Sequence, residues 1–269
     1  MITASIVVHK TPPHQLYKVL TCLVNSAILK IWVIDNSGNY DLEKVALTFP
    51  KVEYHNVENK GYGAGHNVAI KKSIIENSRY HLVINADVYW IGDVITPIKD
   101  FMDGNPDIGI LAPKTFYPNG KMQFICRMLP TPLDLFFKRF LSGKITKKRV
   151  SKYLLEDLNH NKDINCPYLL GSFMFFRTEA LKTEGLFDEK FFMYPEDIDI
   201  TRRIHRNYRT LYWPGVSIVH EHQQASRKNL KMFWIHFSNM IKYFNKWGWF
   251  FDKERKKFNN TLRKNSYIN

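Results

Sequence analysis

Three carboxylates, Glu196, Asp197 and Asp199, fall within four positions directly after Pro195, in the run FFMYPEDIDITRR at residues 191–203. Proline suits the first turn of a helix, and acids there face the positive end of the helix dipole. Arg202, Arg203 and Arg206 then stand toward the other end, and Asp199 can pair with Arg203 one turn on. A helix over about 195–207 follows. Helix electrostatics do not account for the apolar approach, GLFDEKFFMY, which places that first turn beside a partly buried cleft. An ionised carboxylate in such a place needs a proton, a cation or a hydrogen-bonding partner. The segment therefore reads either as a well-capped helix or as a site of proton transfer.

Other polar residues stand where apolar runs end. His9, Asp35 with Asn36, Asn59 and Asp87 each follow such a run, and ligands of open α/β sheets bind outside the carboxyl ends of the strands. Each residue taken singly is also a turn former, but their recurrence at successive strand ends indicates one shared crevice. The loop NKGYGAGHN at 59–67, with Gly61 and Gly65, is neither the G-x-G-x-x-G fingerprint nor a P-loop. It serves as a tight turn into a helix or as a place where a nucleotide can approach the backbone. Asp87, closing VINAD, is of the type that holds a divalent cation through oxygen. One aspartate is too few for a metal site, so other ligands or substrate phosphates must complete it. His220 and His222, two apart in VHEH, share one face of a strand and are either structural or metal-directed.

The elements that must position these groups alternate. Strands are expected over 2–8, 30–35, 51–56, 80–87 and 107–113, with helices over about 13–25, 63–77 and 93–104 between them. That rhythm indicates βαβ units and a mostly parallel sheet. A hairpin turning at Asn119-Gly120 follows, then strands at 168–177 and 210–222 flanking the acidic helix. From Arg227 onward the chain reads as helical, basic and aromatic. The expected organisation is one domain over 1–226 and a helical extension over 227–269.

The chain has 269 residues, 45% of them hydrophobic, and a formal charge of +14. This allows a large core and points to a polyanionic partner. No nucleic-acid-binding motif is evident. Three widely spaced cysteines argue against a disulfide framework and for a reducing compartment. Neither a signal peptide nor a membrane span is apparent. Two segments, FFKRFLSGKITKKRVSKY and KYFNKWGWFFDKERKKF, interleave aromatics with Lys and Arg as interfacial helices do, which suggests peripheral attachment to an anionic membrane.

The ordered set VVHK, VIDNSGN, NKGYGAGHN, VINADV, GSFMFFRTEAL, GLFDEKFFMYPEDIDITRR and VHEHQQASR resembles the inverting glycosyltransferases of family 2, over roughly residues 2–227. It is most similar to the rhamnosyltransferase-like branch that builds O-antigen and capsule chains. The resemblance implies an α/β GT-A fold and Mg²⁺ or Mn²⁺ as cofactor. It implies a dTDP- or UDP-sugar donor and a lipid-diphosphate-linked saccharide acceptor at the inner face of the cytoplasmic membrane. It implies that Asp35, with His9, Asn36, Asn59, Gly61 and Gly65, contacts the nucleotide. Asn85 and Asp87 take the place of the Asp-x-Asp metal motif, with asparagine at its first position. His220, or His222 as runner-up, closes the metal site. Asp197 is the implied base, with Glu196 and Asp199 supporting it, and Arg127, Arg202 and Arg227 are candidates for phosphate contacts. A UDP-hexose donor, a non-catalytic nucleotide-sugar binder and a basic nucleic-acid-binding protein are the competing readings.

Overall fold

Ile2–Val8 (β1) sets Ile2, Ala4, Ile6 and Val8 against Thr3, Ser5 and Val7, and neither set faces solvent. A strand of this kind belongs inside a sheet covered on both faces. The computed structural model describes residues 1–134, 144–221 and 230–268. In it β1 lies within a mixed sheet ordered β3 (Val52–Asn56), β2 (Lys30–Asp35), β1, β4 (Tyr80–Ile84), β11 (Phe173–Arg177), β6 (Ile108–Phe116), β12 (Arg209–His220) and β5 (Val88–Tyr89). Strands β3, β2, β1 and β4 run parallel; β11 runs against them, and β6 and β12 resume the first direction. The expected α/β sheet is present, with β11 reversed inside it and β5 reversed at its edge.

Two cores follow from the alternation. Helices α1 (Pro13–Val24), α2 (Tyr40–Leu47) and α4 (Ile95–Asp103) pack Leu16, Leu20, Leu42 and Ile98 on the Ile6 side of the sheet. Helices α3 (Tyr62–Ile75), α6 (Thr178–Glu184) and α7 (Glu196–Ile204) pack Ile70, Leu181 and Ile200 on the other, against Val83 and Phe176. Polar side chains tie α3 down as well: Ser5 Oγ lies 2.7 Å from His66 Nδ1 and 2.8 Å from His81 Nε2, and Thr3 Oγ1 lies 2.8 Å from Ser73 Oγ. Burial holds His66 and His81 well below the ordinary histidine range, so both are neutral.

Two strand ends differ from expectation, both at the site described below. The fourth strand stops at Ile84, and Asn85–Asp87 forms a turn in which Val88 N–H donates to Asn85 O at 3.3 Å. The strand expected at 168–177 is broken into β10 (Tyr168–Leu169) and β11, because Gly171 turns its N–H out of the ladder. The hairpin at Gly120 is present, joining β6 to β7 (Met122–Gln123). β8 (Cys126–Arg127) pairs with β10, and β9 (Ile164–Asn165) with β12. The three cysteines are free thiols.

The helical C-terminal region is present as α8 (Leu230–Trp247) and α9 (Lys253–Ile268), and α5 (Lys144–Leu154) precedes β9. Met240, Tyr243 and Phe244 join Ile198, Phe191, Leu129 and Tyr153 in a third apolar cluster. Helix α7 is thus packed on both sides, against the sheet and against the C-terminal helices, so its first turn is held from two directions.

Candidate active site

Glu196 and Asp197 open α7 and are 4% and 6% exposed. Gly171 N–H donates to Asp197 Oδ2 at 3.0 Å, and Ile198 N–H donates to Oδ1 at 2.8 Å. A β-carbon on Gly171 would stand 3.0 Å from Asp197 Cβ, so glycine is what allows this close approach. Burial raises the Asp197 carboxyl to about 6, against the opposing pull of the Gly171 N–H, the Arg127 charge and the Ile198 N–H. Burial, and then the Asp197 charge, push Glu196 well above the usual carboxylate range. Its Oε2 is buried without a hydrogen-bond partner. The pair therefore divides its roles. Glu196 holds its proton the more strongly, so Asp197 is the member that ionises first and can accept a proton.

Across the crevice, Asp87 Oδ1 lies 3.3 Å from His220 Nε2. His220 Nδ1 lies 2.9 Å from Gln123 Oε1. An amide oxygen there accepts a hydrogen bond from Nδ1–H and aims Nε2 at Asp87, the usual way a ligating imidazole is oriented. Carboxylate oxygen plus imidazole nitrogen suits Mn²⁺ or Mg²⁺, with phosphate oxygens and water completing the shell. Among the described residues no group of three or more His, Cys, Asp or Glu could hold an ion unaided. Gln123→Ala should leave the fold intact and weaken Mn²⁺-dependent donor binding about 10–100-fold, the usual effect of losing an outer-shell partner. Calorimetry at fixed Mn²⁺ checks this, and unchanged affinity would rule out the orienting role.

The loop residues converge as expected. Asn36 Nδ2 donates to Asn59 Oδ1 at 3.4 Å, Gly61 N–H donates to the same oxygen at 3.2 Å, and His9 Nδ1 lies 3.2 Å from Asn36 O. Tyr62, which sequence reasoning passed over inside the glycine loop, bridges the groups. Its hydroxyl contacts Asn85 Oδ1 at 2.8 Å and Gly171 O at 2.9 Å and feels the charges of Asp197 and Asp87. Gly171 and Gln123 were also missed. A glycine interrupting an apolar strand was the one available signal for Gly171; Gln123 had none.

Several expectations are corrected. Asp35 is fully buried, and its carboxylate accepts from Ser37 N–H, Ser37 Oγ, Asn39 N–H and Tyr54 Oη at 2.6–2.8 Å. Burial alone would raise it, but those bonds hold it below the usual range. It builds the β2–α2 turn and has no acceptor position left for a nucleotide. Gly61, at φ +105°, would drive a β-carbon to 2.2 Å from Phe192 O, and Gly65 would meet Val7 at 2.8 Å. These glycines seat α3 against its neighbours and make no room for a ligand. Arg202 is buried and spent: Nη1 and Nη2 each donate to Asp252 at 2.7 Å, and Nε donates to Glu254 at 2.8 Å. Asp199 faces away from Asp197, accepting from Arg203 Nε at 2.9 Å and Trp247 Nε1 at 2.8 Å. Arg127 Nη1 approaches Tyr168 Oη at 3.4 Å, beside the carboxylate pair rather than Asp87. His222 and Arg227 lie outside the described residues.

A family model described as Glycosyl transferase family 2 matches residues 5–185. The chain is 25% identical to Rhamnosyltransferase WbbL of Escherichia coli over 223 residues, 80% of this chain and 81% of the relative. It is 24% identical over 149 residues to N-acetylglucosaminyl-diphospho-decaprenol L-rhamnosyltransferase of Mycobacterium tuberculosis. That match covers 55% of this chain and 48% of the relative, so the chain spans about half the relative's length. Among solved structures, mannosyltransferase PcManGT of Pyrobaculum calidifontis, in complex with GDP-Man and Mn2+, superposes with a TM-score of 0.60. The superposition covers 99% of this chain and 69% of that one at 15% identity, a likeness of fold.

Proposed function

We propose, from the premise that the chain belongs to glycosyl transferase family 2, that it moves a sugar from a nucleotide-sugar donor onto a lipid-diphosphate-linked saccharide, with inversion at the anomeric carbon. The observation that carries this reading is Asp197: a buried carboxylate held by two backbone N–H groups beside Glu196, and joined through Gly171 and Tyr62 to the turn that presents Asp87. Asp197 takes the proton of the acceptor hydroxyl as that oxygen attacks the anomeric carbon and the bond to the diphosphate breaks. Glu196 stays neutral and keeps a second charge from the same space. Asp87 and His220 would hold the divalent cation, which supplies positive charge to the leaving diphosphate. His9, Asn36 and Asn59 present polar groups to the nucleoside.

L-Rhamnose from dTDP-rhamnose is the proposed donor, supported by the names of both relatives. The lipid-linked acceptor is supported by the mycobacterial one. A thermal-shift screen of dTDP-rhamnose, UDP-hexoses and GDP-mannose with and without Mn²⁺ tests the reading. A donor at ~100 times its Kd stabilises by about 2.7 kcal/mol. Absence of a shift with every nucleotide sugar would reject it.

The acceptor places the enzyme at an anionic membrane, on the inner face of the cytoplasmic membrane. Among the described residues no helix is long and apolar enough to cross one. Phe250 and Phe251, 69% and 98% exposed between α8 and α9, stand beside exposed Lys253, Lys256 and Lys257. Aromatic insertion plus about 1 kcal/mol per basic residue would hold such a surface to anionic lipid. The first basic segment lies partly at 135–143, outside the described residues. The expected result is flotation with anionic vesicles that weakens with salt; equal flotation with neutral vesicles would remove the electrostatic part.

A further inference from the structure

The hydroxyl of Tyr62 lies between two acceptors, Asn85 Oδ1 at 2.8 Å and Gly171 O at 2.9 Å. A phenol has one proton to donate. It cannot serve both at full strength, and Gly171 is buried, where a carbonyl without a proton is costly. An asparagine amide removes the conflict, because its two ends have the same shape and their assignment follows the hydrogen-bond network. With Nδ2 turned toward Tyr62, Asn85 donates to the phenol oxygen and the phenol proton goes wholly to Gly171. Gly171 is then held from both sides, its carbonyl by Tyr62 and its N–H by Asp197 Oδ2 at 3.0 Å. A second tie runs beside this one: Asn85 N–H donates to Ser172 O at 3.0 Å. The turn that carries Asp87 and the strand break that carries Gly171 are thus fastened together at two points.

We propose that Asn85 is a positioning residue rather than a metal ligand: its amide, acting through Tyr62 and Gly171, sets the place of Asp197. The inference rests on the reading of Asp197 as the base. It gives a reason for an amide at the first position of the Asn85-Ala86-Asp87 turn. A carboxylate has no proton to give to Tyr62. It would compete for the phenol proton, strip Gly171 O of its donor and add a charge near Asp197 and Asp87, whose carboxylates already act on the phenol. Tyr62 reaches this position because Gly61 lets the chain turn against Phe192, with Tyr62 N–H donating to Phe192 O at 3.0 Å.

The test uses the full chain with dTDP-rhamnose and Mn²⁺ as probes. Asn85→Asp and Tyr62→Phe should each lower kcat by roughly 10–100-fold, the scale of a sub-ångström to ångström misplacement of a reacting group. Donor Kd in Mn²⁺ should stay within about threefold, and the double variant should be no worse than the worse single one, as for two members of one linkage. In protein labelled with ¹⁵N-glycine, exchange of the Gly171 amide should speed up about tenfold or more in both variants, because its hydrogen bond to Asp197 loosens. Unchanged Gly171 exchange would overturn the proposal. So would an Asn85→Asp enzyme that keeps kcat while its Mn²⁺-dependent donor affinity changes, since that is the behaviour of a metal ligand. If Asp197→Asn retains turnover, the base assignment fails on its own. The exchange measurement needs no donor and still decides whether Asn85 and Tyr62 hold Gly171.

Discussion

Asp197→Asn should lower turnover by roughly 10²–10⁴-fold, the usual contribution of a positioned general base, while donor affinity stays near normal. The stability change has the opposite sign from that of an ordinary lost contact. The Asp197 carboxyl stands at about 6 in the folded protein, above its ordinary value of 3.8. A group raised on folding binds its proton more tightly in the folded state. Stability is therefore lost as pH rises from about 4 to about 6, and the ionised form remains a cost above that window. An amide removes that cost at pH 7.5, offset by the poorer partner it offers to the Gly171 or Ile198 N–H. The melting temperature should accordingly be unchanged or higher while turnover collapses. A purely structural Asp197 requires both to fall together, so the two measurements on one preparation decide between them. The same protonation predicts that kcat/KM declines below about pH 6 in the wild type, as Asp197 becomes protonated. Glu196→Gln should cost less than about tenfold, because a neutral amide replaces a side chain already neutral in the pair.

The second large effect is on folding. Arg202 and Asp252 are 1% and 3% exposed at their side chains and joined by two hydrogen bonds of 2.7 Å. The guanidinium also lies over the Trp247 ring, 4.1 Å from its centroid. Asp252→Ala leaves a buried guanidinium with Glu254 as its one remaining carboxylate and only the Tyr243 hydroxyl, at 3.5 Å, beside it. Breaking a buried pair in this way costs about 3–5 kcal/mol, a fall in melting temperature of roughly 10 °C for a chain of this size. Urea denaturation should show the loss as a lower midpoint at an unchanged slope. Arg202→Met should also destabilise, yet donor KM per folded molecule should not rise. A large rise in donor KM at full folding would restore Arg202 as a phosphate ligand. The pair fastens the start of α9 to α7, so the helix that carries Asp197 depends on residues 50 positions further along the chain.

The sequence by itself determined the elements and the crevice. β-Branched runs such as ITASIVV and KIWVID, too short for a buried helix and apolar at both parities, indicate strands buried on both faces. The helices between them require parallel pairing, which brings strand ends to one edge of the sheet. That His220 meets Asp87 was implied only by the family resemblance; they stand 3.3 Å apart because β5, directly after Asp87, pairs with the end of β12. The acid pair was legible for the same local reason: proline and acids open a helix, and aromatics before them bury it. Asp199 and Arg203 paired as i,i+4 spacing requires.

Only the tertiary structure decided which polar groups were left for chemistry. Asp35 and Asp87 look alike in sequence, each an aspartate closing an apolar strand. Asp35 is consumed by Ser37, Asn39 and Tyr54, whereas Asp87 faces His220. Arg202 and Arg203 are neighbours on one helix, but their partners are Asp252 and Asp199. Gln123 meets His220 across 97 residues, and Tyr62 meets Gly171 across 109. Periodicity assigns a residue to an element and an end, because those depend on a few near neighbours. A side chain's partner depends on which distant elements pack beside it, and a hydrogen bond a few ångströms long leaves no trace in local spacing.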